Sequence, residues 1–324
     1  MNDLVARIRD KAVARIDDEA VARLREAAMW PDLPGDRYRD LRLVARGGMG
    51  TVYAAHDALL NRQVAVKVSN AASTSATAAA SHRLDERLSD ESRILARLEH
   101  PGIVPVHDAG TLADGRAFYV MKLVDGRTLE ASRAAMPELT ARLAIFDRIV
   151  ETVAFAHAAG VVHRDLKPSN VMIGGFGEVL VLDWGVARLV TPDRGSAGAD
   201  DGMRVGTPGF MAPEQRDGDP AAGPEADVFA LGAMLDWLVG DLPRTPRLRA
   251  IIDTCRSPRP SDRYRSASEL GADLARLRAG IPVTAYQDSW LEHAVAWVIR
   301  HRVFIGLILA YLLMRVLFLV YQRT

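Results

Sequence analysis

The chain has 324 residues, enough for one large domain or two smaller ones with a substantial hydrophobic core. Lysine plus arginine and aspartate plus glutamate each number 41, so the formal net charge of +0 gives no electrostatic reason to expect nucleic acid as a partner. Cys255 is the only cysteine, which excludes an intramolecular disulfide and a zinc site made from cysteines.

Residues 1–36 are predicted to form a helical N-terminal extension. Apolar residues such as Leu4, Ile8 and Leu24 alternate with charged ones, which is typical of an amphipathic helix. No uninterrupted apolar run at this end resembles a secretory signal. We expect the extension to pack on the body of the protein. An arm that binds another protein is the alternative.

The next unit, 37–124, is predicted to be rich in strands. It contains one helix, at 82–98, whose leucines and isoleucines recur with helical spacing. A glycine-rich turn at 47–50 joins the first two strands. The five predicted strands are 41–46, 51–56, 63–68, 103–106 and 117–121.

The unit at 125–280 is predicted to be mainly helical. Gly160 is expected to end its longest helix, because glycine accepts the left-handed backbone that closes many helices. Residues 191–205 are polar and rich in glycine, which predicts a mobile loop. The predicted helices are 139–157, 227–239 and 266–278, and two short strands are predicted at 171–173 and 179–182.

Several polar groups in the strand-rich unit are suited to binding phosphate. The Gly-Gly-Met-Gly turn at 47–50 lets backbone N–H groups approach phosphate oxygens, although an ordinary hairpin turn is the alternative. Lys67 lies inside an apolar strand and needs an anionic partner, for which Glu91 on the following helix is best placed.

Further polar groups occur in the helical unit. The stretch His-Arg-Asp-Leu-Lys-Pro-Ser-Asn at 163–170 places Asp165, Lys167 and Asn170 on one short loop. Such a loop could orient a hydroxyl, meet phosphate charge and help to hold a metal. Asp183 ends an apolar strand, as a metal-binding carboxylate would.

These motifs, in this order and spacing, resemble the eukaryotic-like serine/threonine protein kinases of bacteria. The resemblance covers roughly 38–280 and implies an α+β, bilobal fold. Its small β-rich N-lobe would be 37–124 and its larger α-helical C-lobe 125–280. The matching segments are the glycine-rich turn, Lys67, Glu91, 100–104, 163–170, 183–185, 206–208, 211–214, Asp227 and Arg263.

The resemblance implies a role for each matching residue in ATP-dependent phosphoryl transfer. Asp165 would accept the proton of the substrate hydroxyl, and Lys167 would stabilise charge on the transferred group. Lys67 would bind the α- and β-phosphates while paired with Glu91. Asn170 and Asp183 are the implied ligands of Mg²⁺, with Mn²⁺ as the alternative metal. The residues implied to bind ATP are Gly47, Gly48, Gly50, Val52, Ala65, Lys67, Glu91, Met121, Asn170 and Asp183.

The implied activity is a serine/threonine protein kinase acting in signalling, with protein hydroxyls as acceptors. Lys167, two residues after Asp165, goes with serine and threonine acceptors in this family. Arg164 is typical of kinases whose activation segment is phosphorylated, and Thr191 and Ser196 are the candidate acceptors there. The alternative from another class is a pseudokinase scaffold, which binds partners without transferring phosphate.

The chain departs from the family pattern at three places. Ala45 stands where the first loop glycine is usual, so weaker ATP binding is the most we expect. Trp184 replaces the usual phenylalanine after Asp183, and its bulk could change how that segment moves. The segment around 240–246 looks shortened, which puts the docking of protein substrates in question. Glu214 and Arg263 are implied to form a buried ion pair.

The C-terminal part is predicted to anchor the protein in a membrane. Residues 303–321 are apolar apart from Arg315 and would span about 28 Å as a helix. The basic residues at 300–302 are expected to stay on the cytoplasmic side, with 281–302 as a juxtamembrane segment. We therefore predict a single-pass cell-membrane protein with a cytoplasmic kinase domain. A hydrophobic helix docked in a homodimer is the alternative.

Overall fold

The computed structural model describes residues 30–33, 36–48, 50–70, 78–184, 187–189, 207–219, 222–287 and 301–321. Most of the predicted N-terminal extension lies outside the described residues, as do the predicted mobile loop and the two candidate acceptors Thr191 and Ser196. The described chain forms a β-rich lobe followed by a helical lobe, which confirms the predicted bilobal α+β fold.

The smaller lobe is built on five strands, β1 (Tyr38–Arg46), β2 (Gly50–Asp57), β3 (Arg62–Ser69), β4 (Val106–Thr111) and β5 (Ala117–Lys122). They form one antiparallel sheet in the order β1-β2-β3-β5-β4. The register pairs Val52 with Lys67, so the strand after the glycine-rich turn lies beside the strand that carries the lysine. The sheet thus brings the two predicted phosphate-binding features together.

The fourth strand lies further along the chain than predicted. Ile103 makes only an isolated parallel bridge to Val181, and the ladder with β5 begins at Val106. The apolar run at 103–106 was misleading because Ile103 and Val104 are buried without forming a strand. The true strand carries polar residues, because an edge strand is partly exposed and tolerates them.

One helix packs on this sheet, α1 (Ala78–Arg97), four residues longer at its start than predicted. Its apolar side chains, among them Leu88 and Leu95, are buried against the sheet. Glu91 lies on the same buried face and is 2% exposed. The helix therefore presents a carboxylate to the interior, where only a charged or hydrogen-bonding partner can compensate for its burial.

The larger lobe contains the helices α2 (Leu129–Ser132), α3 (Leu139–Ala158), α4 (Pro213–Arg216), α5 (Pro224–Val239), α6 (Pro246–Cys255) and α7 (Ala267–Arg278). The predicted helices at 139–157, 227–239 and 266–278 are confirmed. Helices α3, α5 and α7 pack around fully buried side chains such as Phe146, Leu231 and Leu270. Gly160, with a φ of +75°, follows the end of α3 as predicted.

Helix α6 was not predicted, although its start carries recognisable signals. The Thr245 hydroxyl accepts the N–H of Leu248 and caps the helix, and Pro246 occupies the first helical position. The helix is short and rich in arginine, which obscured its apolar face. Only residues 240–245 separate it from α5. That this segment is shortened relative to the family stays a prediction.

Short strands complete the lobe: β6 (Gly126–Thr128), β7 (Val161–Val162), β8 (Val171–Gly174), β9 (Val179–Val181) and β10 (Arg188–Leu189). Strands β6, β8 and β9 form one antiparallel sheet in that order, and β7 pairs with β10. The polar loop at 163–170 therefore lies between β7 and β8, and Asp183 follows β9 by two residues.

The last described helix is α8 (Arg302–Tyr321). Its side chains from Phe304 to Met314 are mostly exposed apolar groups. Among the described residues, no helix is both long enough and apolar enough to cross a membrane. The membrane span predicted at 303–321 is thus unsupported here and remains a proposal.

Candidate active site

A cavity of about 400 Å³ lies between the two lobes. It is bounded by the glycine-rich loop, here defined as residues 45–50, by β3 and β5, and by the polar loop of the large lobe. The predicted site residues that line it are Gly47, Gly48, Gly50, Val52, Lys67, Met121, Asp165, Lys167 and Asp183. The remaining predicted residues, Ala65, Glu91 and Asn170, are buried and do not line it.

Lys67 and Glu91 form a buried ion pair at the back of the cavity. The Lys67 Nζ donates to both carboxylate oxygens of Glu91 at 2.8 Å and to Asp183 Oδ1 at 3.1 Å. Burial by itself would lower the pKa of Lys67, but the neighbouring Tyr119, Glu91 and Asp183 outweigh it and raise that pKa above its ordinary value. The lysine is therefore a fixed positive charge at the cavity wall.

Tyr119 was missed by the sequence analysis. It is buried on β5, its hydroxyl donates to Glu91 Oε1 at 3.0 Å, and its ring centroid lies 5.8 Å from the Lys67 Nζ. A tyrosine among buried strand residues needs a partner for its hydroxyl, which was the available signal. The partner could not be identified, because it lies on another element.

Asp183 lies at the mouth of the cavity with its side chain 46% exposed. Burial of part of the group would raise the pKa of Asp183, but the Lys67 ammonium outweighs it and lowers that pKa below its ordinary value. Its φ of +61° is uncommon for a residue other than glycine and costs on the order of 1–2 kcal/mol. An ionised carboxylate is thus held at the cavity in a backbone conformation that the surrounding fold must enforce.

Asp165 and Lys167 lie together where the large lobe lines the cavity. The Lys167 Nζ donates to Asp165 Oδ2 at 2.7 Å and to Thr207 Oγ1 at 2.9 Å. The Thr207 hydroxyl in turn donates to Asp165 Oδ1 at 3.1 Å. An aliphatic hydroxyl therefore already occupies one oxygen of this carboxylate.

Asn170 braces the same loop from behind. Its side-chain Nδ2 donates to the carbonyl of Asp165 at 2.9 Å and more weakly to Asp165 Oδ2 at 3.3 Å. The main-chain carbonyl of Asn170 accepts the N–H of Leu182 at 2.8 Å, and this bond joins the loop to the segment that carries Asp183. The amide nitrogen thus faces Asp165, and the side-chain oxygen is left to act as a ligand.

A buried carboxylate of α5 fixes the backbone of the polar loop. Asp227, fully buried, accepts the N–H of His163 at 2.7 Å and that of Arg164 at 2.8 Å, and it also contacts His157 Nε2 at 2.9 Å. Burial raises the pKa of Asp227, but the His157 contact outweighs it, and the net shift is downward. Arg164 has a φ of +69°, which these bonds help to maintain.

Trp184 points into the large lobe and is 1% exposed. Its indole Nε1 donates to the carbonyl of Val181 at 3.1 Å, and its ring lies 4.6 Å from that of His163. A phenylalanine could not make that hydrogen bond. The substitution is therefore accommodated by a specific contact beside Asp183.

The predicted ion pair between Glu214 and Arg263 is confirmed. The Arg263 guanidinium donates to both Glu214 oxygens, at 2.6 and 2.9 Å, and to the carbonyls of Ser257, Pro258 and Glu225. It is thus saturated with acceptors, as a buried guanidinium must be. The pair fixes α4, which follows the segment that carries Thr207.

Comparison with known proteins agrees with this geometry. Residues 38–256 match the family model described as protein kinase domain. The chain is 35% identical over 277 residues to the serine/threonine-protein kinase PknA of Mycobacterium tuberculosis H37Rv, covering 75% of this chain and 62% of PknA. It is 37% identical over 233 residues to PknD, also a serine/threonine-protein kinase, of Chlamydia trachomatis serovar D, covering 61% of this chain and 24% of PknD. The chain therefore spans less than two thirds of the length of these relatives.

Proposed function

Because this chain belongs to the protein kinase family, we propose that it is an active serine/threonine protein kinase that transfers the γ-phosphoryl group of ATP to protein hydroxyls. One observation carries the proposal: Lys67, Asp165 and Asp183 meet at a single cavity between the lobes. Each of the three has a partner that holds it in place. A scaffold without activity would not need this set of charges to be kept together.

Asp165 is proposed to accept the proton of the substrate hydroxyl. Its Oδ1 already accepts a hydrogen bond from the Thr207 hydroxyl at 3.1 Å, so the carboxylate can orient an alcohol. Lys167, bound to its other oxygen, supplies a positive charge next to the point of attack. A proton acceptor and a cation placed side by side favour phosphoryl transfer to an alcohol.

Lys67 is proposed to bind the α- and β-phosphates of ATP. Glu91 already holds the Lys67 side chain in place, so the binding of phosphate costs little further side-chain entropy. The glycine-rich loop would cover the phosphates from the other side. At Gly50 a Cβ would lie 2.7 Å from the Val68 carbonyl, so this position of the loop accepts only glycine without a shift.

Asn170 and Asp183 fit the requirements of Mg²⁺. They supply a side-chain carbonyl and an ionised carboxylate, which are the oxygen ligands this ion prefers. In the described part of the chain, no group of three His, Cys, Asp or Glu residues that could hold a metal is found. Mg²⁺ in proteins is usually bound through one or two carboxylates together with phosphate and water. When bound, Mg²⁺ would neutralise charge on the phosphate oxygens.

The enzyme is tested with labelled ATP, Mg²⁺ and a generic basic protein. We expect phosphoryl transfer by the full chain, and a loss of at least about 100-fold in Asp165→Asn, because the proton acceptor is removed. Asp253→Asn, the same change at an exposed position of α6, is the matched control and should keep full activity.

The competing function is a pseudokinase scaffold. It predicts no transfer by the wild type and the same blank for Asp165→Asn, while nucleotide or partner binding persists. That result would overturn the proposed catalysis. Equal transfer by the wild type and Asp165→Asn would instead show that the signal comes from a contaminating kinase.

We also propose that α8 anchors the protein in the cell membrane, with the kinase domain on the cytoplasmic side. What supports the proposal is the sequence at 303–321, which is apolar apart from Arg315, together with the exposure of the apolar side chains around Leu309 on α8. Arg315 opposes insertion by about 2.5–3.5 kcal/mol at the bilayer centre. It lies near the C-terminal end, so its side chain can reach towards the membrane surface.

Fractionation of cells that express the full chain or a chain ending at residue 302 tests the anchor. We expect the full chain in the membrane fraction, resistant to high salt, and the shortened chain in the supernatant. The alternative is a homodimer joined through α8. It predicts both chains in the supernatant, with the full chain at the mass of a dimer and the shortened chain at the mass of a monomer. This outcome would contradict the anchor.

A further inference from the structure

Asn70, directly after β3, links the glycine-rich loop to the sheet. Its side-chain Nδ2 donates to the carbonyl of Gly47 at 2.7 Å. Its Oδ1 accepts the hydroxyl of Thr51, at the start of β2, at 2.8 Å. One amide group therefore joins the end of β3, the start of β2 and the turn between β1 and β2.

Thr51 gives this link a rigid base. It is 3% exposed and belongs to the β2–β3 ladder, where it pairs with Val68. Inside the turn, the N–H of Gly47 donates to the carbonyl of Gly50 at 2.9 Å, which closes the turn on itself. Asn70 fixes this closed turn relative to the strand that carries Lys67.

The loop needs such a link because its glycines are conformationally free. A Cβ at Gly48 would meet nothing within 4 Å, so lack of space does not explain this glycine. An unrestrained glycine turn loses much conformational entropy when it orders over a ligand. Ala45, by contrast, pairs with Val52 and follows a β-bulge, so the loop leaves β1 from a defined position.

We propose that Asn70 is a positioning residue that holds the glycine-rich loop over the ATP phosphates, using Thr51 as its base. The inference rests on the proposed kinase function and deepens it. Because the contact orders the loop before nucleotide arrives, its loss should weaken ATP binding and leave the phosphoryl-transfer step almost unchanged. The Asn70 contact would also explain how the loop keeps its shape with alanine at position 45, where the first glycine is usual.

The test compares the wild-type chain with five variants: four single ones and the double variant of Asn70→Ala with Thr51→Val. Asn70→Ala removes both hydrogen bonds, and Thr51→Val removes only the hydroxyl. Thr51→Ser keeps the hydroxyl and should rescue the function. Asn61→Gly, in the turn at the other end of the β2–β3 hairpin, is the control, because glycine accepts the φ of +48° found there.

Two quantities are measured: the Kd of a non-hydrolysable ATP analogue with Mg²⁺, and the KM for ATP together with kcat. For Asn70→Ala we expect Kd and KM to rise about 3- to 10-fold, with kcat within about twofold of wild type. Thr51→Val should shift in the same direction. The double variant should be no worse than Asn70→Ala alone, because both act through one contact.

An unchanged Kd in Asn70→Ala would overturn the positioning role, whether or not kcat falls. Additive effects of the two single variants would also overturn it, since they would place Thr51 and Asn70 in separate contacts. The analogue titration needs no phosphoryl transfer. A wild type that binds the analogue but transfers nothing would therefore overturn the proposed function and leave the positioning role to be judged by Kd. Absence of analogue binding would overturn both.

Discussion

At the scale of single residues, the buried carboxylate of Glu91 accepts hydrogen bonds from two side chains, Lys67 and Tyr119. Lys67 contacts both of its oxygens, while the Tyr119 hydroxyl donates to Oε1. The carboxylate needs this saturation because it is 2% exposed, and an unsatisfied buried charge is very costly. The tyrosine thus helps to orient the lysine through the carboxylate that both contact, and it also lines the cavity.

The change Tyr119→Phe tests this contribution. We expect the free energy of unfolding to fall by about 0.5–1.5 kcal/mol, the typical net value of one hydrogen bond, and kcat/KM to fall several-fold. The first is measured by urea denaturation and the second by steady-state kinetics. Tyr38→Phe is a matched control, because the Tyr38 hydroxyl also donates to a carboxylate, that of Asp108, at 2.8 Å but away from the cavity. Equal losses of kcat/KM in both variants would contradict a specific role for Tyr119.

At the scale of elements, α7 holds the segment that follows the large lobe. Asp273 is fully buried and accepts the Tyr264 hydroxyl at 2.8 Å and the N–H groups of Thr284 and Ala285 at 2.9 and 3.0 Å. Val283, beside them, is 4% exposed. The beginning of the predicted juxtamembrane segment is therefore packed on the lobe, and one carboxylate joins the two elements.

This contact predicts a pH dependence of stability. Burial raises the pKa of Asp273, but hydrogen bonds, chiefly those from Thr284, outweigh it and lower that pKa from 3.8 to about 2. Because the pKa is lower in the folded state, the stabilisation is fully present above pH 3.8 and is lost as the pH falls towards 2. Asp273→Asn should lower the free energy of unfolding at pH 7 by about 1–3 kcal/mol, measured by urea denaturation.

The difference between Asp273→Asn and wild type should shrink when the same measurement is made near pH 3. Asp253→Asn, on an exposed surface, should change stability by less than about 0.5 kcal/mol at either pH. A difference that stays constant between pH 7 and pH 3 would show that the titration of Asp273 is not responsible.

At the scale of the whole molecule, the candidate site belongs to neither lobe alone. The small lobe supplies the glycine-rich loop, Lys67 and Glu91, and the large lobe supplies Asp165 and Asp183. The contact of Lys67 with Asp183 at 3.1 Å is a charged link between the lobes. A ligand that binds here contacts both lobes and should stabilise them together.

We therefore expect ADP with Mg²⁺ to raise the melting temperature. At 100 times the Kd, a ligand specific for the folded state stabilises by about 2.7 kcal/mol. Thermal denaturation is compared with nucleotide plus Mg²⁺, with nucleotide plus EDTA, and with Mg²⁺ alone. Asp183→Asn should lose the part of the shift that depends on the metal. A full shift with EDTA, or one unchanged in Asp183→Asn, would contradict the assignment of the metal ligand.

Most helices and the division into two lobes could be predicted from the sequence, because both follow from patterns among residues that are close along the chain. Helical spacing identified α1, α3 and α7, the apolar composition of 227–239 identified α5, and the order of the motifs indicated the two lobes. Prediction failed where neighbouring residues do not reveal burial. The apolar run at 103–106 has the pattern of a strand, but Ile103 makes only an isolated bridge to Val181. In α6, arginines alternate with the buried apolar residues and obscure the helical pattern.

Residue types and their order along the chain were therefore enough to name Lys67, Glu91, Asp165 and Asp183 as candidates. Only the tertiary structure showed that Tyr119 shares Glu91, that Thr207 donates to Asp165, and that Asn70 links the glycine-rich loop to Thr51. The reason is physical. A hydrogen bond acts over about 3 Å in space, and residues distant along the chain become partners only when packing brings them within that distance.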